Sequence, residues 1–157
     1  MNAGSAARGN GHTPSRNPAA RWPFWPVHMR IHPLTRLVTG PAPTSSPAPS
    51  LGGSGHWLLE TRIEFTDADG QTSKAVGQMT IQLYESPTMP LDQGRVKTWN
   101  ADLTLLNVNR EHYDDVTRTY LFRLGIEPND LTEQSQLRAL FVSADGQKFE
   151  DRLLVRH

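Results

Sequence analysis

Cysteine is absent from this chain of 157 residues. The absence excludes disulfide bonds, thiolate metal sites and cysteine nucleophiles, so the fold must be stabilised by packing alone. No apolar run reaches the roughly 18 residues that a membrane-spanning helix needs. Residues 1–20 also lack the apolar stretch of about 7 to 15 residues found in secretory signal peptides. We therefore expect neither a transmembrane segment nor a standard export signal.

Acidic residues are absent from the first 55 positions, which contain five arginines and nine of the twelve prolines. The remaining positions contain 11 basic and 16 acidic residues, so the neutral overall charge averages two unlike parts. Residues 1–26 are rich in Gly, Asn, Ser, Pro and Arg. Ordering them would cost about 1 to 2 kcal/mol per residue, with little apolar area to offset that cost. We expect a disordered leader over 1–26 and a folded domain over 27–157.

Alternation of apolar and polar residues dominates the rest of the chain. Val27, Met29 and Ile31 alternate with polar residues, which is typical of a half-buried strand, and Pro33 ends or edges it because proline cannot donate to a β-ladder. The expected order is a first strand over 27–38, a flexible Pro/Ser/Gly linker over 39–55 and further strands over 56–157.

Six more alternating runs follow the linker, and one short segment has helical character. Asp130-Leu-Thr-Glu133 resembles a capping box, which predicts a helical turn over about 131–136. We expect little other helix. The face that Trp99 and Leu103 share in the third of these runs should extend to Leu105. The six strands are expected over 57–65, 75–84, 96–106, 118–124, 136–143 and 149–155.

One phrase occurs twice, as Phe65-Thr-Asp-Ala-Asp-Gly-Gln71 and as Phe141-Val-Ser-Ala-Asp-Gly-Gln147. Each copy is an apolar strand end that runs into Asp-Gly and is followed by another alternating run. An Asp-Gly pair in this position is a strong signal for a β-hairpin, since a tight primed turn needs positive φ and glycine reaches it without steric cost. We therefore expect two hairpins with primed turns.

Together these patterns predict an all-β fold. About seven strands at roughly ten-residue intervals favour an antiparallel two-sheet sandwich of immunoglobulin-like type behind the disordered leader. Trp57 and Trp99 are candidates for the buried tryptophan of such a fold. The disulfide is missing, and the spacing from Asp115 to Tyr120 differs from the usual tyrosine corner.

Several strand segments also resemble a protein family. Met29–Arg36, Leu59–Phe65, Ile81–Tyr84 and Arg118–Tyr120 are similar to strands of uncharacterised bacterial β-sandwich proteins, several of them lipoprotein-like. The resemblance implies a bacterial envelope setting and no known activity. A lipoprotein needs a cysteine after its signal, which this chain lacks. We expect either a misplaced start codon with a lost export signal and a cell-envelope location, or a cytoplasmic protein.

Candidate chemistry is confined to loop carboxylates. Asp67 and Asp69 stand two apart in a Gly-terminated loop, and Asp114 and Asp115 lie in a second loop. Carboxylate oxygens are suitable ligands for calcium, which takes six or more of them. The alternative interpretation is that these residues only shape turns, because the second copy of the repeated phrase has Ser143 in the place of Asp67.

No catalytic or cofactor motif is present, which leaves binding functions. We expect a noncatalytic interaction or scaffolding module whose partner is a protein, with a calcium-dependent or carbohydrate-recognising module acting through the end loops as the alternative. Nucleic acid is not expected, because the domain is acidic. The aromatic residues Trp22, Phe24 and Trp25 could contact a membrane surface.

Overall fold

The computed structural model describes residues 24–39, 50–51, 57–86, 88 and 94–155. In these ranges the chain forms ten strands, one α-helix and a 3₁₀ turn. The strands are β1 (His28–Ile31), β2 (Arg36–Thr39), β3 (Ser50–Leu51), β4 (Trp57–Thr66), β5 (Gly77–Tyr84), β6 (Arg95–Asp102), β7 (Tyr113–Asp114), β8 (Thr119–Ile126), β9 (Gln136–Ser143) and β10 (Lys148–Leu154). The helix is α1 (Leu106–His112), and the 3₁₀ turn is Pro128–Asp130.

The strands form two sheets. The first has the order β1-β4-β8-β3, with β2 also beside β4 and β7 also beside β8, and the second has the order β10-β9-β5-β6. All pairs are antiparallel except β3 with β8. The predicted two-sheet sandwich is confirmed. The expected strand number also holds if β1 and β2 are counted as one interrupted strand and the two-residue strands β3 and β7 are left out.

Alternation works as predicted because one face of each long strand is turned toward the other sheet. Leu59, Ile63 and Phe65 of β4 are buried, as is Phe141 of β9. The rings of Phe65 and Phe141, which begin the two repeated phrases, meet across the sheets with centroids 4.7 Å apart. Both side chains are almost completely buried, and burying such a side chain contributes about 1.5 to 3 kcal/mol.

Both Asp-Gly turns form, but they are not primed turns. Gly70 and Gly146 have φ of 75° and 86°, whereas Arg118 is the only non-glycine residue with positive φ in the described ranges. A type I′ turn would need positive φ at both central residues. Instead the amide of Gly70 donates to the carbonyl of Asp67 at 3.1 Å, which makes a type I turn followed by a left-handed glycine.

The first repeated phrase does not join neighbouring strands, so its hairpin prediction is wrong. β4 belongs to the first sheet and β5 to the second. After the turn the chain makes one bridge, between Thr66 and Thr72, and then crosses to the other sheet. The second phrase does form a hairpin, in which Val142 of β9 pairs with Lys148 of β10.

The start of the domain is interrupted, as Pro33 predicts. β1 and β2 both pair with β4, and between them the amide of Thr35 donates to the carbonyl of His32 at 2.9 Å. The linker prediction over 39–55 is wrong at Ser50–Leu51, which pairs in parallel with β8. Thr39, the first residue of that linker, belongs to β2. The rest of the linker, 40–49 and 52–55, lies outside the described residues, as do residues 1–23 of the expected leader.

Helix α1 replaces the end of a predicted strand. The strand expected over 96–106 ends at Asp102, whose carboxylate accepts a hydrogen bond from the amide of Thr104 at 2.9 Å. Leu105 is consequently exposed instead of facing the core. The helical turn expected over 131–136 is also displaced. Pro128–Asp130 forms the 3₁₀ turn, and the carboxylate of Asp130 accepts from the amide of Glu127 at 2.6 Å.

The buried face of α1 is polar. The side-chain amide of Asn109 donates to the carbonyls of Ala75 and Leu103 at 2.7 and 2.8 Å. The hydroxyl of Tyr120 in β8 lies 2.9 Å from Asn109 Oδ1 and accepts from the amide of Ala75 at 3.0 Å. A ring nitrogen of buried His112 lies 3.0 Å from the carbonyl of Leu121. These bonds join the helix, the crossing after the first turn and β8.

Replacement of Thr61 by valine should stabilise the protein. Thr61 is completely buried in β4, and its hydroxyl has no hydrogen-bond partner among the described residues. A buried hydroxyl without a partner costs about 1 to 3 kcal/mol, while valine keeps the branched shape. Urea denaturation of Thr61→Val should therefore show a free energy of unfolding about 1 kcal/mol higher than that of the wild type.

Serine at the same position is the control, because it keeps the hydroxyl and loses the methyl group. Thr61→Ser should lower the free energy of unfolding. If Thr61→Val were also destabilising, the hydroxyl would have a hydrogen-bonding role in the folded protein.

Candidate functional site at the open side of the sandwich

The side chain of Asp67, the first calcium candidate, accepts hydrogen bonds from backbone amides of its own turn. Its side chain is buried, and Oδ1 accepts hydrogen bonds from the amides of Asp69 and Gln71 at 3.0 and 2.9 Å. The second repeated phrase has the same arrangement with a hydroxyl. Ser143 Oγ accepts from the amide of Gln147 at 3.0 Å. Asp67 and Ser143 therefore have the same role in the two turns.

The carboxylate of Asp114 binds an arginine side chain and a backbone amide. Its Oδ2 lies 2.7 Å from Nη1 of Arg62, and its Oδ1 accepts from the amide of Val116 at 2.9 Å. The hydrogen bond from Arg62 is the main reason that the pKa of Asp114 falls to about 2. The carboxylate is thus charged at neutral pH and already paired with a cation on the first sheet.

Asp69 and Asp115 are the exposed members of the set. Asp115 lies 3.8 Å from the ammonium of Lys74. The two loops share one end of the sandwich, because Ile63 near the end of β4 pairs with Tyr120 near the start of β8. In the described part of the chain, no three His, Cys, Asp or Glu side chains form a group that could hold a metal ion. The calcium site stays a prediction.

Substitutions at Asp67 distinguish a role in forming the turn from a role in binding calcium. Asp67→Ala removes two hydrogen bonds to a buried carboxylate and should lower the free energy of unfolding by about 2 kcal/mol. Asp67→Ser copies the second turn and should cost less than about 1 kcal/mol. The check is urea denaturation with and without millimolar calcium. A melting temperature that calcium raises in the wild type, but not in Asp67→Ser, would identify a calcium site instead.

The three aromatic residues proposed for membrane contact differ in their exposure where the structure describes them. Trp22 lies outside the described residues. Phe24 is 60% exposed, whereas Trp25 is half-buried and the following Pro26 is buried. The amide of Val27 donates to the carbonyl of Thr66 at 2.8 Å, so the packed part of the chain begins slightly before residue 27. None of the helical segments in the described ranges has the length and apolarity needed to cross a membrane.

A concave surface lies elsewhere, on one open side of the sandwich. A groove of about 930 Å³ separates β2 of the first sheet from the end of β10 of the second. Its floor is apolar and consists of inward-facing side chains. Leu59 and Val155 are buried, while Leu37, Trp57 and Leu153 are half-buried and pack against the core. We call this surface, bounded by β2 and β10, the β2–β10 groove.

The groove lies beyond a contact between β1 of the first sheet and β10 of the second. In this contact, a carboxylate oxygen of Asp151 in β10 accepts a hydrogen bond from the amide of Ile31 in β1 at 2.7 Å. This side chain satisfies the amide of Ile31 on the edge of β1 that no described strand pairs with. Pro33 and the turn that follows then separate β1 from β2. Among the described strands β2 pairs only with β4, and β10 only with β9, so both walls of the groove are sheet edges.

Two arginines stand at the rims of the groove. The side chains of Arg36 on β2 and Arg152 on β10 are 71% and 42% exposed. None of the described residues that line the groove is acidic. Sequence reasoning assigned no role to these arginines or to Leu37 and Leu153. The only signal for the groove in the sequence is Pro33, which interrupts the first strand.

Comparisons with known proteins identify no relative of this chain. No protein-family model matches it, and no curated protein or solved structure matches it either. The fold therefore defines the class by itself, and this class is the two-sheet antiparallel β-sandwich.

Proposed function

We propose that this protein is an immunoglobulin-like interaction module without catalytic activity. If β1–β2 is taken as strand A and β4 to β6 as B, C and C′, then β7 to β10 correspond to D, E, F and G. Apart from β3, which also lies beside β8, the sheet orders then read A-B-E-D and G-F-C-C′. These orders are similar to those of immunoglobulin-like domains. The strand order supports this class. The bacterial envelope setting rests on the sequence resemblance alone.

The module binds an extended segment of a partner protein in the β2–β10 groove. The observation that carries this proposal is an apolar floor lying between two sheet edges. An edge strand offers backbone N–H and C=O groups that pair readily with another strand, and side-chain pockets beside it supply specificity. A groove with both features suits strand addition better than it suits a compact ligand.

The alternative function, ligand binding through the end loops, has less support. It calls for a cluster of available carboxylates or a pair of exposed aromatic rings at one end of the sandwich. The carboxylates of Asp67 and Asp114 are engaged in hydrogen bonds with the protein. Phe24 is the only exposed aromatic side chain in the described part of the chain.

The test is selection of peptide segments from a displayed random library, followed by mapping of the best binder on the protein by amide NMR shifts. We expect the shifts to concentrate at residues 36–39 and 152–155. Leu153→Arg, which places a charge on the groove floor, should weaken binding at least tenfold. Val142→Arg is the matched control, because Val142 is exposed on the outer face of the second sheet and should not affect binding.

Two outcomes contradict the proposal. One is a selected segment whose shifts fall on the end loops and whose affinity is unchanged by Leu153→Arg. The other is a library that gives no binder to the folded wild-type protein. Shift mapping uses the wild type, so it is informative even if Leu153→Arg folds poorly.

A further inference from the structure

We infer that the segment bound in the β2–β10 groove runs antiparallel to both walls, with apolar side chains at alternate positions and acidic side chains between them. This inference rests on the proposed function of the groove and adds the chemistry of its partner. It follows from three observations: the direction of the two strands, the division of their side chains into two faces, and the charge of the rims.

The direction of the two walls follows from the two sheet registers and from the reversal of the chain after β4, where Thr66 and Thr72 form an antiparallel bridge. β2 is antiparallel to β4, which ends at the Asp67 turn. β5 begins after that turn, and β9 and β10 reverse direction in succession. β2 and β10 therefore run the same way, both ending at the groove. A single added strand of opposite direction is antiparallel to both edges at once, the pairing that is slightly more stable per residue.

Alternation is fixed by the faces of the two walls. Leu37 and Leu153 point toward the core and line the groove floor, whereas Arg36 and Arg152 point to the outer faces of their sheets. Successive side chains of an added strand point to opposite faces. Every second side chain of the segment therefore contacts the apolar floor, and those between emerge beside the two arginines.

At the first rim, the positive charge of Arg36 is only partly neutralised by a carboxylate of its own sheet. Arg36 Nε lies 3.0 Å from Glu60, and the other carboxylate oxygen of Glu60 lies 3.4 Å from Arg123 on β8. One carboxylate is thus shared between two guanidinium groups. Because Arg36 is the more exposed of the two, an acidic side chain on an added strand can approach it from solvent.

The second rim repeats this arrangement with different residues. Arg152 lies 2.7 Å from Glu150, and Glu150 also binds Arg138 through two hydrogen bonds of 2.9 and 2.7 Å. The hydrogen bond from Arg138 is the main cause that lowers the pKa of Glu150 to about 2. Glu150 is thus held by Arg138, and Arg152 is the exposed partner on the groove side.

None of the given residues outside the described ranges forms a segment with this pattern. Residues 87 and 89–93 are Pro and Met-Pro-Leu-Asp-Gln, with a single acidic side chain, and residues 156–157 are Arg-His. Residues 1–23 and 40–49 contain no acidic residue and no alternating apolar run. Residues 52–56 are Gly-Gly-Ser-Gly-His. The exposed guanidinium groups of Arg36 and Arg152 therefore favour an acidic extended segment of a different protein as the occupant.

The experiment uses three synthetic peptides of about nine residues that alternate valine with glutamate, serine or lysine, together with a scrambled form of the glutamate peptide. Binding to the full chain is measured by calorimetry. We expect the glutamate peptide to bind about tenfold more tightly than the serine peptide, since opposite charges across paired strands attract, and the lysine peptide to bind most weakly. The scrambled peptide should lose most of the affinity.

Substitution of the rims identifies the source of the preference. In the double variant Arg36→Gln and Arg152→Gln, the glutamate and serine peptides should bind almost equally, with the affinity of the serine peptide unchanged. Arg110→Gln, at an exposed position on α1, is the control and should keep the tenfold preference.

A spin label on the peptide tests the direction. On the amino terminus it should broaden the amide signals of Val38 and Leu154, and on the carboxyl terminus those of Thr35 and Arg36. The reverse pattern overturns the antiparallel orientation.

The outcomes separate the two levels of the proposal. Equal binding of all three alternating peptides in the groove would overturn the acidic preference and leave strand addition intact. Absence of any peptide in the groove would remove the proposed function as well. Self-association in sedimentation, abolished by Leu153→Arg, would show that a second copy of this chain is the occupant, which also overturns the inference.

Discussion

Gly77→Ala should lower the free energy of unfolding by about 3 kcal/mol or more. Gly77 opens β5 opposite Ser143 of β9, and a Cβ atom there would lie 2.2 Å from the carbonyl oxygen of Val142 and 2.8 Å from Cα of Ser143. Both atoms belong to the backbone of the paired strand. A rotamer change cannot remove such a clash, so the two strands must separate, and overpacking of this kind is strongly destabilising.

A second glycine gives the control for this prediction. Gly70 has positive φ, but a Cβ atom there would meet nothing within 4 Å. Gly70→Ala should cost about 1 to 2 kcal/mol from backbone strain alone, and Gly70→Asn less, because asparagine tolerates that conformation. Urea denaturation of the three variants checks the order. A midpoint for Gly77→Ala at or above that of Gly70→Ala would show that β5 and β9 adjust easily.

Asn109→Leu should be the second severe change, with a cost of about 3 kcal/mol. The substitution leaves the buried carbonyls of Ala75 and Leu103 without the side-chain amide that now donates to them. It also removes the nearer of the two acceptors beside the hydroxyl of Tyr120, the other being the carbonyl of Ala75 at 3.1 Å. A buried polar group that loses its partner costs about 1 to 3 kcal/mol. Asn107→Leu, on the exposed face of the same helix, should change stability by less than about 0.5 kcal/mol.

A double-mutant cycle with Tyr120→Phe tests whether the two residues act as one network. Tyr120→Phe alone should cost about 2 kcal/mol, because the amide of Ala75 loses its acceptor. The double variant should cost less than the sum of the single ones by about 1 kcal/mol, as expected for residues in contact. Strict additivity would contradict a shared network.

The pH dependence of stability is a further check on Tyr120. Burial raises the pKa of Tyr120 to about 12, above the value near 10 for an unfolded chain. Since the folded state holds this proton more tightly, the stabilisation is complete below about pH 10 and is lost as the pH rises toward about 12. Tyr120→Phe should therefore show a smaller loss of stability than the wild type over that interval.

The seven long strands could be read from the sequence because burial on one face leaves a period of two. Leu59, Ile63 and Phe65 show this pattern, and all three are buried. The turn glycines could also be recognised, since positive φ is a local requirement. The type of turn could not, because Asp-Gly is compatible both with a primed turn and with a type I turn that ends in a left-handed glycine.

Helix α1 was missed because its buried residues are polar. Asn109 and His112 face the interior. The side-chain amide of Asn109 donates to the carbonyl of Ala75, and a ring nitrogen of His112 lies beside the carbonyl of Leu121. A pattern of apolar residues cannot reveal such a helix. Similarly, the carboxylates of Asp67 and Asp114 resembled possible calcium ligands because their partners, above all Arg62, are close only in the folded protein.

The sequence by itself determined which segments form long strands, where the chain turns and that the protein is a β-sandwich, because side-chain alternation and glycine conformation are local properties. Only the tertiary structure decided that β4 and β5 lie in different sheets, that α1 packs on a polar face and that the β2–β10 groove stays open. Each of these depends on contacts between residues far apart in the chain, such as Tyr120 with Ala75 and Ile31 with Asp151.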